Sequence, residues 1–165
     1  MTEFNKDHYR TARYVFNWLN LRFRFNVDGC ANSCNALCSY FVTEAMNFLD
    51  FNCYTVNSRI FVNPPYSDPM PFVKRAAELM AQGHLVVMLL PADKSTKWYK
   101  VIQENATEVI DIIGGRINFL HPVTGQEVKG NNKGSMVAVF DPFMQGFITR
   151  QVSLDFVKKV GGYGA

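Results

Sequence analysis

The chain has 165 residues and a mass of 18.8 kDa, and its 48% hydrophobic and 14% aromatic content supports one domain with a real core and excludes a disordered chain. A formal charge of +3, from 17 Lys plus Arg against 14 Asp plus Glu, is compatible with a polyanionic partner without demanding one. The longest apolar run, Leu85 to Leu90, is far short of the ~20 residues that span a bilayer, and the N-terminus is polar rather than signal-like, so a soluble cytoplasmic protein with no membrane partner is expected.

Ala12, Val15, Phe16 and Leu19 recur at helical spacing, so residues 10–21 read as an amphipathic helix. Phe23, Phe25 and Val27 alternate with Arg24 and Asn26, which predicts a strand ending in the small-residue turn 28–32. A second helix or irregular turn is expected over 33–41, then a polar loop carrying Glu44 and Asp50, then a strand over 59–62. Pro69 and Pro71 suit the first turn of a helix whose buried stripe is Phe72, Ala76, Leu79 and Met80 and which Gly83 stops. His84 to Leu90, ending at Pro91, has the composition of a strand covered on both faces. A short helix over 95–104 turns Trp98, Val101 and Ile102 inward, and strands are expected near 107–113, 116–120 and 135–140. A further strand and helix are expected in the tail from Phe143. Alternating strands and helices imply a mostly parallel α/β sheet with helices on both sides, while the late strands, which lack intervening helices, are expected to pair antiparallel. The whole of 1–165 reads as a single domain, with no repeat, linker or low-complexity tract.

Cys30, Cys34 and Cys38 would share one face if their segment were helical. Their spacing matches neither paired zinc ligands nor an iron–sulfur pattern, and no histidine lies nearby, so they read as reduced thiols acting as small hydrophobes and no metal is expected.

The most informative stretch is Asn63-Pro64-Pro65-Tyr66, directly after the apolar run Ile60-Phe61-Val62. Open α/β sheets bind ligands at the carboxyl ends of their strands. A nucleobase amino group or a carboxamide nitrogen is a poor nucleophile, because its lone pair is delocalised into the attached π-system. Two acceptors aimed at its two N–H bonds favour a more tetrahedral nitrogen, most strongly as positive charge builds during group transfer. The Asn63 side-chain oxygen is one acceptor. The carbonyl of Pro64 is the other, held in place because two successive prolines restrict the backbone. Tyr66 offers a flat face for stacking, worth about 1–3 kcal/mol per base in nucleic-acid complexes. The plain alternative is a strand ending in a turn, with no chemistry attached.

The ordering of features resembles the bacteriophage-type DNA N6-adenine methyltransferase family, from about Tyr9 to Pro142. The resemblance rests on Phe23-x-Phe25-x-Val27-Asp28-x-x-Ala31, Phe41-x-Thr43-Glu44, Asp50-Phe51, Asn63-Pro64-Pro65-Tyr66-Ser67, Leu89-Leu90-Pro91-Ala92 and Gly115-Arg116-Ile117-x-Phe119. It implies a Rossmann-like fold that uses S-adenosylmethionine, with the target adenine of DNA turned out of the duplex into a pocket at Tyr66. It further implies that Asn63, Pro64, Pro65 and Tyr66 are catalytic and that Thr11, Asp28, Ala31, Glu44 and Asp50 contact the cofactor. A phage-encoded protein of this kind would act in the host cytoplasm. The chain has Thr11-Ala12 where relatives usually show Thr-Pro, and Asp50-Phe51 in place of Asp-Trp. It also lacks G-x-G-x-x-G, which this cofactor does not need, having no pyrophosphate to cradle.

Carboxylates suit a cofactor carrying an ammonium, a sulfonium and a ribose diol, although Asp28 would equally serve as a helix cap and Glu44 and Asp50 as solvated loop acids. Ser67 and Tyr66 are assigned to the substrate side. Arg116 could meet a phosphate or pair with an acid of the fold, and Lys129 and Lys133 could track a nucleic-acid backbone or lie on a solvated hairpin. Two other functions fit Asn-Pro-Pro-Tyr: a protein-glutamine methyltransferase, and a cofactor- or DNA-binding protein without turnover. A chain of this length leaves no room for a separate target-recognition domain, so any selectivity is expected from loops such as 121–134.

Overall fold

The computed structural model describes residues 5–165. A 3₁₀ turn over Lys6–His8 leads into α1 (Arg13–Phe23), followed by β1 (Val27–Asp28), β2 (Tyr40–Phe41), β3 (Arg59–Val62), α2 (Met70–Ala81), β4 (Leu85–Pro91), α3 (Lys97–Asn105), β5 (Glu108–Ile113), β6 (Ser135–Phe140), β7 (Ile148–Ser153) and α4 (Leu154–Gly161). The strands form one seven-stranded sheet in the order β2-β1-β3-β4-β6-β5-β7. β6 runs antiparallel to both its neighbours, β4 and β5. Every other pairing is parallel.

Side chains alternate across a strand, so the central strands feed two cores at once. Val87 and Leu89 of β4 and Val137 and Val139 of β6 join Val15, Phe16 and Leu19 of α1 and Leu154 and Val157 of α4 on one face. Val86, Met88 and Leu90 of β4 and Met136, Ala138 and Phe140 of β6 join Val73, Ala76 and Leu79 of α2 and Ile102 of α3 on the other. This double coverage is why β4 is apolar without interruption and buried throughout. Trp98 and Val101 pack against the second core from α3. α1 and α4 approach so closely that a Cβ on Gly161 would lie 1.9 Å from the Tyr14 carbonyl oxygen.

Three expectations are corrected. The first helix covers 13–23 rather than 10–21, because Arg10 pairs in extended form with Leu120 and Arg24 closes the helix in the left-handed region at φ 54°. Phe23 is therefore the last helical residue, and the strand expected to start there shrinks to Val27–Asp28; Phe25 still turns inward against Phe16 and Phe61. Of the two forms expected for 33–41, the structure has the irregular one, a run of turns ending in the short β2, so the three cysteines do not share a helix face. The strand expected over 116–120 is reduced to bridges of Leu120 with Arg10 and Glu127, since both edges of β5 are already occupied by β6 and β7. The tail strand, β7, pairs parallel with β5.

Glu108, at the start of β5, locks three elements together. Its buried carboxylate accepts from Arg22 of α1 at 2.9 and 2.7 Å and from Arg150 of β7 at 2.7 Å. Burial alone would raise its pKa, but the two guanidiniums outweigh that and hold it below the usual glutamate value. No helix among the described residues is long and apolar enough to cross a membrane.

Candidate active site

β1 has β2 on one side and β3 on the other, so the chain reverses direction across the sheet at the β1–β3 junction. Such a switch point leaves a crevice beyond the carboxyl ends of the strands. A cavity of about 880 Å³ lies there, lined by Asp28, Gly29 and Ala31 after β1, by Asn63 and Pro65 after β3, by Val42, Glu44, Asn47 and Phe48, and by Tyr9, Arg10 and Thr11 from before α1. A second cavity of about 700 Å³ is lined by Asn63, Pro64, Tyr66 and Ser67, by Pro91 and Phe119, and by the loop 128–134 with Lys129 and Lys133. Both volumes fall in the range of small-molecule sites. Asn63 borders both cavities, as do Asn5, Asp7 and Tyr9.

The loop after β3 is tied down at three points. Asn63 Nδ2 donates to Thr11 Oγ1 at 2.8 Å, which leaves Oδ1 as the acceptor end of the amide. Tyr66 Oη donates to the Leu89 carbonyl of β4 at 3.1 Å, and its ring meets Phe119 edge-on, 5.7 Å between centroids at 87°. Burial pushes the Tyr66 hydroxyl well above its ordinary pKa, so it stays a neutral donor. Ser67 donates through its backbone N–H, at 3.0 Å, and its hydroxyl to the Asp7 carboxylate.

Asp28 is buried, with Oδ1 accepting from Cys30 N at 3.3 Å and Oδ2 from Leu37 N at 3.1 Å. It caps the turns after β1 rather than a helix. Burial raises its pKa to about 6, although the two backbone donors pull the other way. A carboxylate raised in this way is half ionised near pH 6, and a cation placed beside it would favour the charged form and lower its pKa. A ligand that seats an ammonium beside Asp28 should therefore bind about tenfold more tightly at pH 7 than at pH 5, as Asp28 ionises, and Asp28→Asn should flatten that dependence. Isothermal titration calorimetry across that range checks this; a flat wild-type profile would contradict it.

The remaining sequence-assigned residues fall into two groups. Ala31 and Glu44 line the first cavity, and Lys129 and Lys133 the second. Asp50 does not line either cavity; its Oδ2 accepts from Asn47 Nδ2 at 3.0 Å, and Asn47 is the residue that reaches the cavity. Arg116 is likewise outside both, donating to the Asn131 carbonyl at 3.0 Å and so anchoring the loop 128–134. Sequence reasoning missed Tyr9, Arg10, Asn47, Phe48 and Phe72 in the first cavity, and Phe119 in the second as a wall residue. Only Phe119 carried a local signal, through the Gly115-Arg116-Ile117 run. Cys30, Cys34, Cys38 and Cys53 are free thiols, and burial, then Asp28, pushes Cys38 up to about 12. The described residues contain no group of His, Cys, Asp or Glu side chains able to hold a metal.

The first cavity fits S-adenosylmethionine chemically. Asp28 suits its ammonium, and Arg10, whose Nε is buried with no hydrogen-bond partner among the described residues, suits its carboxylate. Glu44 at the rim suits the ribose diol. Phe48 and Phe72, stacked 5.9 Å apart at 7°, give an apolar wall beside Val42 and Leu37 for the purine.

A sheet of this order, with a cofactor-sized crevice at its switch point joined to a second cavity through the Asn-Pro-Pro-Tyr loop, is that of a Rossmann-like methyltransferase fold. A family model described as DNA N-6-adenine-methyltransferase (Dam) matches residues 1–162. The chain is 35% identical over 156 residues to the DNA N-6-adenine-methyltransferase of Escherichia phage T1, covering 86% of this chain and 65% of that protein. It is 37% identical over 141 residues to the enzyme of the same name from Haemophilus phage HP1, covering 84% and 80%. The chain belongs to the DNA N-6-adenine-methyltransferase (Dam) family, whose reaction draws its methyl group from S-adenosylmethionine. It spans just under two thirds of the phage T1 relative's length.

Proposed function

We propose that this protein methylates the N6 amino group of adenine in DNA, with the target base rotated out of the duplex into the cavity walled by Tyr66 and Phe119. The observation that carries the reading is the position of Asn63, which lines the crevice at the switch point and the second cavity alike. When bound, S-adenosylmethionine supplies a methyl carbon already activated on a sulfonium. Arg10, Asp28, Glu44, Phe48 and Phe72 would hold it. Asn63 Oδ1 and the Pro64 carbonyl accept the two N–H bonds of the target amine, drawing its lone pair out of conjugation and toward the first cavity. Tyr66 supports the flipped base on its ring and offsets part of the few kcal/mol that extrusion costs. The product nitrogen then loses one proton to solvent, which requires no buried general base.

Lys129 and Lys133 line the second cavity, Lys133 with Asp93 3.9 Å away and Arg116 bracing their loop, and this supports reading them as phosphate contacts. The family membership supports DNA over a glutamine side chain as the substrate. Phage relatives support action in the cytoplasm of a host cell, where DNA and the methyl donor meet. The test is incubation with radiolabelled S-adenosylmethionine and unmethylated DNA, or a glutamine-bearing release-factor-like protein, followed by locating the label. Label in N6-methyladenine is expected; label in the protein, or in neither, would overturn the reading.

A further inference from the structure

The catalytic amide has two ends of nearly equal shape and opposite chemistry. With Oδ1 toward the target amine, Asn63 accepts an N–H; turned over, it presents its own N–H₂ to another N–H₂ and the stabilisation is lost. The prolines restrict the backbone but cannot choose between these orientations, because χ2 of asparagine is independent of them and roughly two-fold. A partner that takes one Asn63 N–H is needed.

Thr11, which the family resemblance assigns to the cofactor, meets that need. It lies 52 positions before Asn63 in the chain, is 7% exposed, and its Oγ1 stands 2.8 Å from Asn63 Nδ2. The segment carrying it is fixed on both sides. Arg10 N donates to Leu120 O at 2.9 Å and Leu120 N to Arg10 O at 2.8 Å, while Ala12 begins α1 by accepting from Val15 N at 3.1 Å. Arg10 also donates to the Pro122 carbonyl, and Asp7 grips Ser67 at the far end of the same catalytic loop. Thr11 is thus held with its hydroxyl oxygen facing the nitrogen of the catalytic amide, and it selects this orientation when its own O–H is turned away from Asn63.

We propose that Thr11 is a positioning residue for methyl transfer: its hydroxyl oxygen accepts an Asn63 N–H and so keeps Asn63 Oδ1 directed at the target amine. The inference rests on the function proposed above, and it specifies what Thr11 does for the chemical step. A carboxylate at position 63 has acceptors at both ends and no orientation to choose. The requirement for Thr11 should therefore fade in an Asn63→Asp background.

The experiment measures single-turnover transfer to adenine in DNA at saturating cofactor, with calorimetric S-adenosylmethionine binding and thermal melts, for wild type, Thr11→Val, Thr11→Ser, Asn63→Asp and Thr11→Val/Asn63→Asp. Thr11→Val should slow transfer about tenfold or more, as expected when a reacting group is misdirected, while cofactor affinity stays within about twofold. Thr11→Ser should recover most of that loss. Adding Thr11→Val to Asn63→Asp should change its rate by less than about threefold, which a merely structural role for Thr11 would not produce. A wild-type rate in Thr11→Val, a loss confined to cofactor affinity, or equal penalties in the two backgrounds would each overturn the inference. Should Asn63→Asp support no transfer, the comparison of Thr11→Val with Thr11→Ser decides: equal rates overturn it. A wild-type chain that transfers nothing to adenine removes the function itself, whereas active wild type with indifferent Thr11→Val removes only this role.

Discussion

Asn63→Ala should lower the rate of methyl transfer by about 10²–10³-fold, with S-adenosylmethionine binding retained, because in the proposed mechanism the lost oxygen acts on the target amine as charge develops there. The size follows from the position of the residue: Asn63 lines both cavities and directs its acceptor end by donating to Thr11. Removing one of two acceptors leaves the Pro64 carbonyl alone, which cannot draw the nitrogen lone pair out of conjugation from both sides. Single-turnover kinetics with saturating cofactor, beside a direct binding measurement, separates the two effects. A wild-type rate would remove Asn63 from the chemistry. A matching loss of cofactor affinity would move its role to the first cavity.

Tyr66→Ala should weaken productive binding of the target adenine by about 1–3 kcal/mol, five- to more than a hundredfold in kcat/KM for DNA, because it removes the proposed stacking face. Tyr66→Phe keeps that face and loses only the bond to the Leu89 carbonyl, a change of about 0.5–1.5 kcal/mol. Burial keeps the Tyr66 hydroxyl protonated, so the phenylalanine variant removes no charge and should leave the pH profile unaltered. Equal losses in the two variants would show that the hydroxyl anchor, rather than the ring, is what the reaction uses.

These two positions stand out in the sequence because the residues proposed for the chemistry are contiguous. Asn63, Pro64, Pro65 and Tyr66 are adjacent, and the strand that presents them announces itself by Ile60, Phe61 and Val62, all buried. The same holds for β4, whose unbroken apolar run demands cover on both faces, and for α2, whose stripe matches a helical period. Phe23 shows where pattern alone fails. Phe23-x-Phe25-x-Val27 alternates like a strand, but Asn20 accepts the Phe25 N–H through its side chain at 2.8 Å and Arg24 turns left-handed, so the helix keeps Phe23. The residues 116–120 have strand composition, yet β5 has no vacant edge for them.

The acids of the candidate site divide for the same reason. Asp28 ends a strand at the switch point, a place the order of elements already marks. Glu44 and Asp50 sit in one polar loop and look alike in sequence, but the turn at 47–50 sends Asn47 to the cavity and leaves Asp50 behind it as its hydrogen-bond partner. No spacing rule separates them, because a loop's side-chain directions depend on the surface it packs against.

The sequence by itself determined the class of chemistry, the strand that delivers it and the two-faced core, since each depends on residues within a turn or a strand of one another. Tertiary structure alone decided that the segment before α1 crosses the loop after β3, that Thr11 meets Asn63, and that Phe119 meets the Tyr66 ring edge-on in the wall of a second cavity. Those contacts join parts of the chain dozens of positions apart, and only the packing of the whole sheet brings such distant hydrogen-bond donors, acceptors and rings within reach.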